Sequence, residues 1–502
     1  MYRRPTGQMV IEDFILPFEG KLDANNRWVK LAEIIPWSTI ENDYAKLFPS
    51  NAGEVAKPLR MALGSLIIKE KCGFSDRETV EQITENPYLQ YFIGLEKYQL
   101  EPPFDPSLMV HFRKRLDKET LKKINELICQ GKQTKGPKDP DKPGSPPPSG
   151  GTPKQDNSKP TQPANKGKLL LDATCAPADI RYPTDLSLLN EAREKTEEMI
   201  DTLYNTGLGL ERKPRTYRQK ARRDYLKIAK QRKPRGKAIR KAIGKQLSYL
   251  SRNLKTIDSL LSLEGHGNLD ARQVRELATI RTLYNQQREM YTSKIHQIKD
   301  RIVSICQPHV RPIVRGKAKA NTEFGAKVAV SMVGGYIYVD RLSWDSFNEG
   351  NDLEQAVKNY KERYGFYPEA VLADQIYRNR DNRSYCKQHG IRLSGPPLGR
   401  PPRDGRPNRE LEKQDMRERN GIEGGFGVGK RKYGLARIMA RLKETAESVI
   451  MLQFLVMNLD QRLRSLFCLF SHLILGAMFS QNVRKKRLIM FFDLSKLSFG
   501  CY

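Results

Sequence analysis

The chain has 502 residues and a formal net charge of +30, from 88 Lys and Arg against 58 Asp and Glu. That length holds two or three domains with a buried core, and that charge favours a polyanionic partner, nucleic acid before a membrane surface. The seven cysteines are scattered without a Cys-x-x-Cys pair, which argues against a zinc or disulfide framework and fits a reducing cytoplasm. The N-terminus has no apolar segment behind its arginines and does not read as a signal peptide. The apolar run Leu466–Phe479 contains His472 and is short for a bilayer, so no membrane span is expected.

Residues 1–130 read as a helical domain. Leu59, Leu63, Leu66 and Ile67 recur at helical spacing, Gly73 breaks the run, and Ser75 with Glu78 makes a capping box for the next helix. Asn86-Pro87 and Asp105-Pro106 mark two more starts. Helix, glycine turn, helix suits a DNA-binding unit as well as any small bundle, and the basic run His111–Arg115 tilts the reading toward DNA. Residues 131–167 are Pro, Gly, Ser and Lys with nothing to pack, and read as a disordered linker. Lys168-Leu-Leu-Leu171 is then a short buried strand, with Asp172 expected at its exit.

Residues 186–307 read as an inserted basic helical hairpin. Residues 212–245 hold sixteen Lys or Arg and one acid, Asp224. Such density, interleaved with Tyr217 and Tyr225, points to phosphate contact rather than internal ion pairing. Leu247, Leu250, Leu254, Ile257 and Leu261 form a heptad-like seam. A return helix is expected from Leu277 through Ile302. Strand signals resume over Phe324–Val333 and Tyr336–Leu342, joined by Gly334-Gly335. A helix over Asp352–Tyr364 leads to a second short strand ending in Asp374. After a helix to Gln388, a third strand covers Ile391–Leu393. A Pro/Gly/Arg-rich loop follows, then a helix from Asn408 toward Glu423, and a last long helix over Leu435–Leu466. The remaining tail, 466–502, turns basic and then apolar.

Two aspartates at strand ends and one helical glutamate make a carboxylate cluster. Like charges raise one another's pKa and are tolerated around divalent cations. Carboxylates without His or Cys suit Mg2+, and two such ions activate a water or a 3′-hydroxyl in phosphodiester chemistry.

Several stretches also resemble a known family: residues 172–186, 311–317, 323–327, 372–377, 394–401 and 419–430. They are similar to the DDE transposases of bacterial insertion sequences, in particular the insertion-sequence-five-like group. The resemblance implies an α/β, ribonuclease-H-like mixed sheet over 168–185 and 308–465. It carries a helical N-terminal domain and a long helical insertion after the first strand. It implies a catalytic and metal-binding triad of Asp172, Asp374 and Glu423, served by Mg2+, two ions, with Mn2+ as a substitute. Arg419 shares a helical face with Glu423. Lys430 follows through Gly424, Gly425, Gly427 and Gly429, which predict an irregular segment. The family's tyrosine place holds Met416. Arg315, Lys317 and Arg400 are further candidates for DNA contact, while His309 and His389 read as structural. The implied partners are the element's terminal inverted repeats and target DNA, with a homodimer or higher assembly on paired ends. A nuclease that does not transpose and an inactive DNA-binding relic are the alternatives.

Overall fold

A computed structural model describes residues 11–16, 20–48, 55–130, 164–204, 212–263, 267–314, 322–395 and 409–467. Arg315, Lys317, Arg400, the linker over 131–163 and the tail over 468–502 lie outside the described residues. The chain divides into two compact units. One comprises Met1–Lys168, Met332–Tyr338 and Met451–Tyr502; the other comprises Leu169–Ser331 and Val339–Ile450.

The first unit is mainly helical: α1 (Arg27–Ile34), α2 (Trp37–Ala45), α3 (Leu59–Cys72), α4 (Asp76–Glu85), α5 (Pro87–Phe92), α6 (Leu108–Arg115) and α7 (Lys118–Gln130), with residues 451–467 also helical. Helix α3 supplies its centre, with Leu59, Leu63, Leu66 and Ile67 fully buried. It stops where Gly73 takes a left-handed φ of 75°. Ser75 then caps α4 by accepting from the Glu78 N–H at 3.1 Å. Asn86 caps α5 by accepting from the Tyr88 N–H at 2.9 Å. The basic run on α6 is partly internal. Arg113 is buried and donates to both carboxylate oxygens of Asp76, at 2.9 and 2.6 Å. Arg115 lies over the Phe48 ring at 4.9 Å. Neither arginine is thus a plain solvated charge waiting for DNA.

The second unit is α/β. The chain's strands are β1 (Lys168–Pro177), β2 (Arg311–Val314), β3 (Thr322–Val333), β4 (Tyr336–Ser343), β5 (Ala370–Leu372) and β6 (Arg392–Leu393); most of their residues belong to this unit, while Lys168 and residues 332–338 are counted with the first. They join in the order β2-β3-β1-β5-β6, with β4 also paired to β3. The sheet is mixed: β2 runs antiparallel to β3 and β5 parallel to β6. Strand β1 does not end at Asp172. Ala173, Thr174, Cys175 and Ala176 continue it, and all four are buried. Gly325 lets β3 approach this extension, since a Cβ there would lie 2.1 Å from the Ala176 carbonyl oxygen.

Helices α8 (Asp185–Leu203), α9 (Arg218–Ala229), α10 (Gly236–Leu261) and α11 (Ala271–Ser293) follow β1. The leucine seam of α10 is not confined to a two-helix hairpin. Leu250, Leu254 and Ile257 share one apolar cluster with Leu189, Met199 and Ile200 of α8 and with Leu277, Ile280 and Leu283 of α11. Helix α11 ends at Ser293, because Lys294 turns left-handed with φ 55°. The return helix therefore stops short of Ile302, which joins the same cluster from outside any helix.

Three helices complete the unit: α12 (Leu353–Tyr364), α13 (Arg380–Gln388) and α14 (Arg409–Lys432). Helix α14 runs unbroken through Gly421, Gly424, Gly425, Gly427 and Gly429, contrary to the irregular segment expected there. Each glycine costs about 1 kcal/mol relative to alanine in a helix interior. Burial of Ile422 and Phe426 offsets that cost. The expected helix from Leu435 begins only at residue 443. Gly434 takes a φ of 76°, and the Ile438 N–H donates to the Pro177 carbonyl at 2.8 Å, holding this stretch extended beside the end of β1.

Candidate active site

Each predicted acid reaches the site from a different element. Alternation along the first half of β1 buries Leu169, Leu171 and Ala173 and leaves Asp172 half-buried on the opposite face. Its Oδ1 accepts from the Ala173 N–H at 2.7 Å. Burial pushes its carboxyl above the usual carboxylate range; the Ala173 N–H opposes that, while the charges of Glu349 and Glu423 add to it. Asp374 follows β5 and opens the 3-10 turn Gln375–Tyr377, with its side chain exposed. Glu423 projects from α14, whose seating is fixed by an ion pair with a buried carboxylate. Arg392 of β6 donates to Asp415 at 2.9 Å, and Asp415 is 4 % exposed.

Arg419 links two of the acids. Its Nη1 donates to Oδ1 of Asp374, and its Nη2 lies 3.7 Å from Oε1 of Glu423. The unbroken helix also settles Lys430: Glu423, Phe426, Gly427 and Lys430 come round on one face at helical spacing. That face, with Asp172 and Asp374, lines a single cavity of about 980 Å³. The structure thus brings Asp172, Asp374, Glu423, Arg419 and Lys430 together. The two histidines stand apart from it. His309 packs edge-on to Trp344 at 4.3 Å, and burial lowers its pKa to about 4. His389 stacks on Tyr367 at 4.4 Å.

The cavity also contains groups that sequence reasoning missed. Glu349 adds a fourth carboxylate, and Lys327 of β3 donates to it at 3.2 Å and to the Phe347 carbonyl at 2.8 Å. Glu349 lies in a polar loop before α12, with no regular period to mark it. Lys327 sits in one of the family-like stretches, where nothing singles it out. Outside the lining, Tyr377 in the turn after Asp374 is buried; its hydroxyl is pushed well above the usual range by burial first and by Glu349 and Asp172 next.

The donor set suits a hard divalent cation: carboxylate oxygens, with no thiolate or imidazole among them. Among the described residues, however, no three His, Cys, Asp or Glu side chains stand close enough to hold an ion as placed. The contacts of Arg419 give the reason. Its guanidinium neutralises Asp374 and Glu423 from the position between them, so these exposed carboxylates turn to it rather than to Asp172.

Comparison with known proteins bears on the chain's family. Residues 16–115 match a transposase domain, and residues 371–460 match a transposase DDE domain. The chain belongs to the DDE transposases of insertion sequences. The DDE match contains Asp374 and Glu423, while Asp172 lies ahead of it. Membership implies DNA as a partner and dependence on a divalent metal. An uncharacterized protein, ORF8 in the nfe locus of Rhizobium meliloti, is 27% identical over 179 residues, covering 35% of this chain and 75% of that relative. No solved structure matches. Among the described residues, no helix is long and apolar enough to cross a membrane.

Proposed function

We propose that this transposase cuts DNA at the ends of its own insertion sequence and joins the freed ends to a target duplex. Asp172, Asp374 and Glu423 act as the triad on a ribonuclease-H-like sheet. The observation that carries the reading is the meeting of the three acids on one cavity, although 202 and 49 residues of chain separate them. The strand order supports the fold assignment, with a β3–β4 hairpin on one side of β1 and the parallel β5–β6 pair on the other. The family-like stretches support the insertion-sequence-five-like group.

Two Mg2+ ions, held by the three carboxylates, would supply activation of a water or 3′-hydroxyl and stabilisation of the leaving oxygen. The protein's part is positional. Strand β1 and the turn after β5 fix the two aspartates, and α14 fixes the glutamate two turns before Lys430. Arg419 keeps Asp374 and Glu423 near each other until a stronger cation arrives, and its guanidinium then suits a phosphate. Lys430 and the basic helix α9 grip DNA, as do Arg315, Lys317 and Arg400. The helical domain over 1–130 takes the terminal repeat, and 186–307 forms the basic insertion of the catalytic domain. The active form is a homodimer or larger on paired ends.

The test is a duplex copied from the DNA that brackets the coding region, incubated with the protein, Mg2+ and a supercoiled target. Ends bearing 3′-hydroxyls and strand-joined products are expected from the wild type. Neither should form with Asp172→Ala, Asp374→Ala or Glu423→Ala, while DNA binding persists. Cleavage by the triple variant overturns the assignment, and cutting without joining favours a nuclease.

A further inference from the structure

The cavity holds one cation that the triad chemistry does not use. Lys327 stands in the middle of β3, where Gly325, Ala326 and the residues from Val328 to Met332 are buried. Its side chain is 15% exposed and lines the same cavity as Asp172. Two of its N–H groups are taken, by the Phe347 carbonyl at 2.8 Å and by Glu349 at 3.2 Å. The Phe347 ring lies 4.8 Å from the ammonium. Glu349 is itself held in place. It begins the 3-10 turn Glu349–Asp352, which Asn348 caps by accepting from the Gly350 N–H at 3.0 Å.

A lysine in a strand interior loses hydration, and an apolar residue would pack β3 at least as well. The pair therefore does something that packing does not ask for. The wall formed by α14 and the turn after β5 already has its own cation, Arg419, between Asp374 and Glu423. On the other wall, Lys327 is the cation that meets Glu349. An ammonium has three donors, so one remains for a ligand in the cavity. A ligand drawn into a cavity lined by Lys430, with Arg419 on the carboxylates of Asp374 and Glu423, carries phosphates.

We infer that Lys327 binds a DNA phosphate inside the cavity, and that Glu349 is the residue that positions its ammonium. This rests on the reading of the cavity as the place where DNA is cut, and it adds a DNA contact which that reading does not contain. Glu349 competes with the phosphate for the same ammonium, so the pair opens as the strand enters.

The test is equilibrium binding of the full chain to the duplex from its own flanking DNA, in EDTA, across a salt series. Lys327→Gln should weaken binding about tenfold at low salt. It should also flatten the slope of log affinity against log salt by about 0.9, the signature of a single phosphate left unneutralised. Lys327→Arg should retain most of the affinity, and Glu349→Gln should tighten binding by removing the competing carboxylate. Neutral methylphosphonates placed singly near the element's end provide the decisive arm. One of them should reproduce the weakening in the wild type and add nothing to Lys327→Gln. If every methylphosphonate costs both proteins equally, or the Gln variant keeps the wild-type slope, the pair only fixes the loop to β3 and the inference fails. Cleavage is scored separately in Mg2+. A wild type that binds but never cuts removes the active-site reading and leaves the binding result to stand or fall on its own.

Discussion

Replacing Asp172 by Asn should stabilise the metal-free protein while ending cleavage. The carboxylate is half-buried on β1, burial holds its carboxyl above the usual range, and the charges of Glu349 and Glu423 push the same way. The Ala173 N–H at 2.7 Å and Arg419 oppose this without cancelling it. Asparagine keeps the shape and an oxygen for that N–H and removes only the charge. The sign follows from the raised carboxyl. The folded chain binds this proton more tightly than the unfolded chain, so stability from this group is full below the ordinary carboxyl range. It is lost as pH rises through the raised value. At neutral pH the wild type bears the cost and the Asn variant does not. The gain should be about 0.5–2 kcal/mol, the usual yield of relieving a strained functional site. Each kcal/mol corresponds to about 2–4 °C in melting temperature for a unit of this size. Melting curves in EDTA at neutral and acidic pH measure it: the advantage of Asp172→Asn should shrink as pH falls. Added Mg2+ should then raise the wild-type melting temperature more than the variant's. An Asn variant less stable than the wild type in EDTA at neutral pH, or one that still cuts, refutes the reasoning.

Three further outcomes are expected. Arg419→Ala should lower cleavage about 10- to 100-fold, since it removes the group that orients two of the acids; single-turnover cleavage at saturating protein reads this. Asp415→Ala leaves Arg392 without its partner beneath α14 and should cost about 1–3 kcal/mol in urea unfolding, because Arg392 is partly exposed and solvent compensates some of the deficit. Exchanging Arg222, Arg223 and Lys227 of α9 for Gln should flatten the salt dependence of DNA binding by up to about 0.9 for each phosphate that is no longer neutralised. Folding should be unchanged, since all three side chains are exposed. A slope equal to the wild type's would place the DNA path away from α9.

The elements that carry the three acids were legible because residue type and element type are local signals. Leucines before Asp172 and the short apolar run before Asp374 marked strands, and the spacing from Arg419 to Glu423 marked a helix face. What failed were boundaries set by distant parts of the chain. Strand β1 continues past Asp172 because β3 approaches it at Gly325. Helix α14 persists through its glycines because Ile422 and Phe426 are buried. That continuity also moved Lys430 from an irregular loop onto the face of Glu423. The pairing of Ile438 with the end of β1 cancelled the helix expected from Leu435. Glu349 could not be found by period, since it sits in a loop, and only the fold reveals that the loop lines the cavity. Much of the basic surface was easier to see than to interpret: the run His111–Arg115 tilts the sequence reading toward DNA, and its Arg113 holds Asp76 in the structure.

The central claim, that three distant acids share one divalent-metal site, has a direct chemical test. Fe2+ substituted for Mg2+, with ascorbate and peroxide, generates hydroxyl radicals where the ion sits and breaks the nearby backbone. The account predicts a small set of fragments cut near residues 172, 374 and 423, suppressed by excess Mg2+ and absent from the Asp172→Ala variant. Cuts at one of these segments alone, or fragments that persist without Asp172, would contradict it.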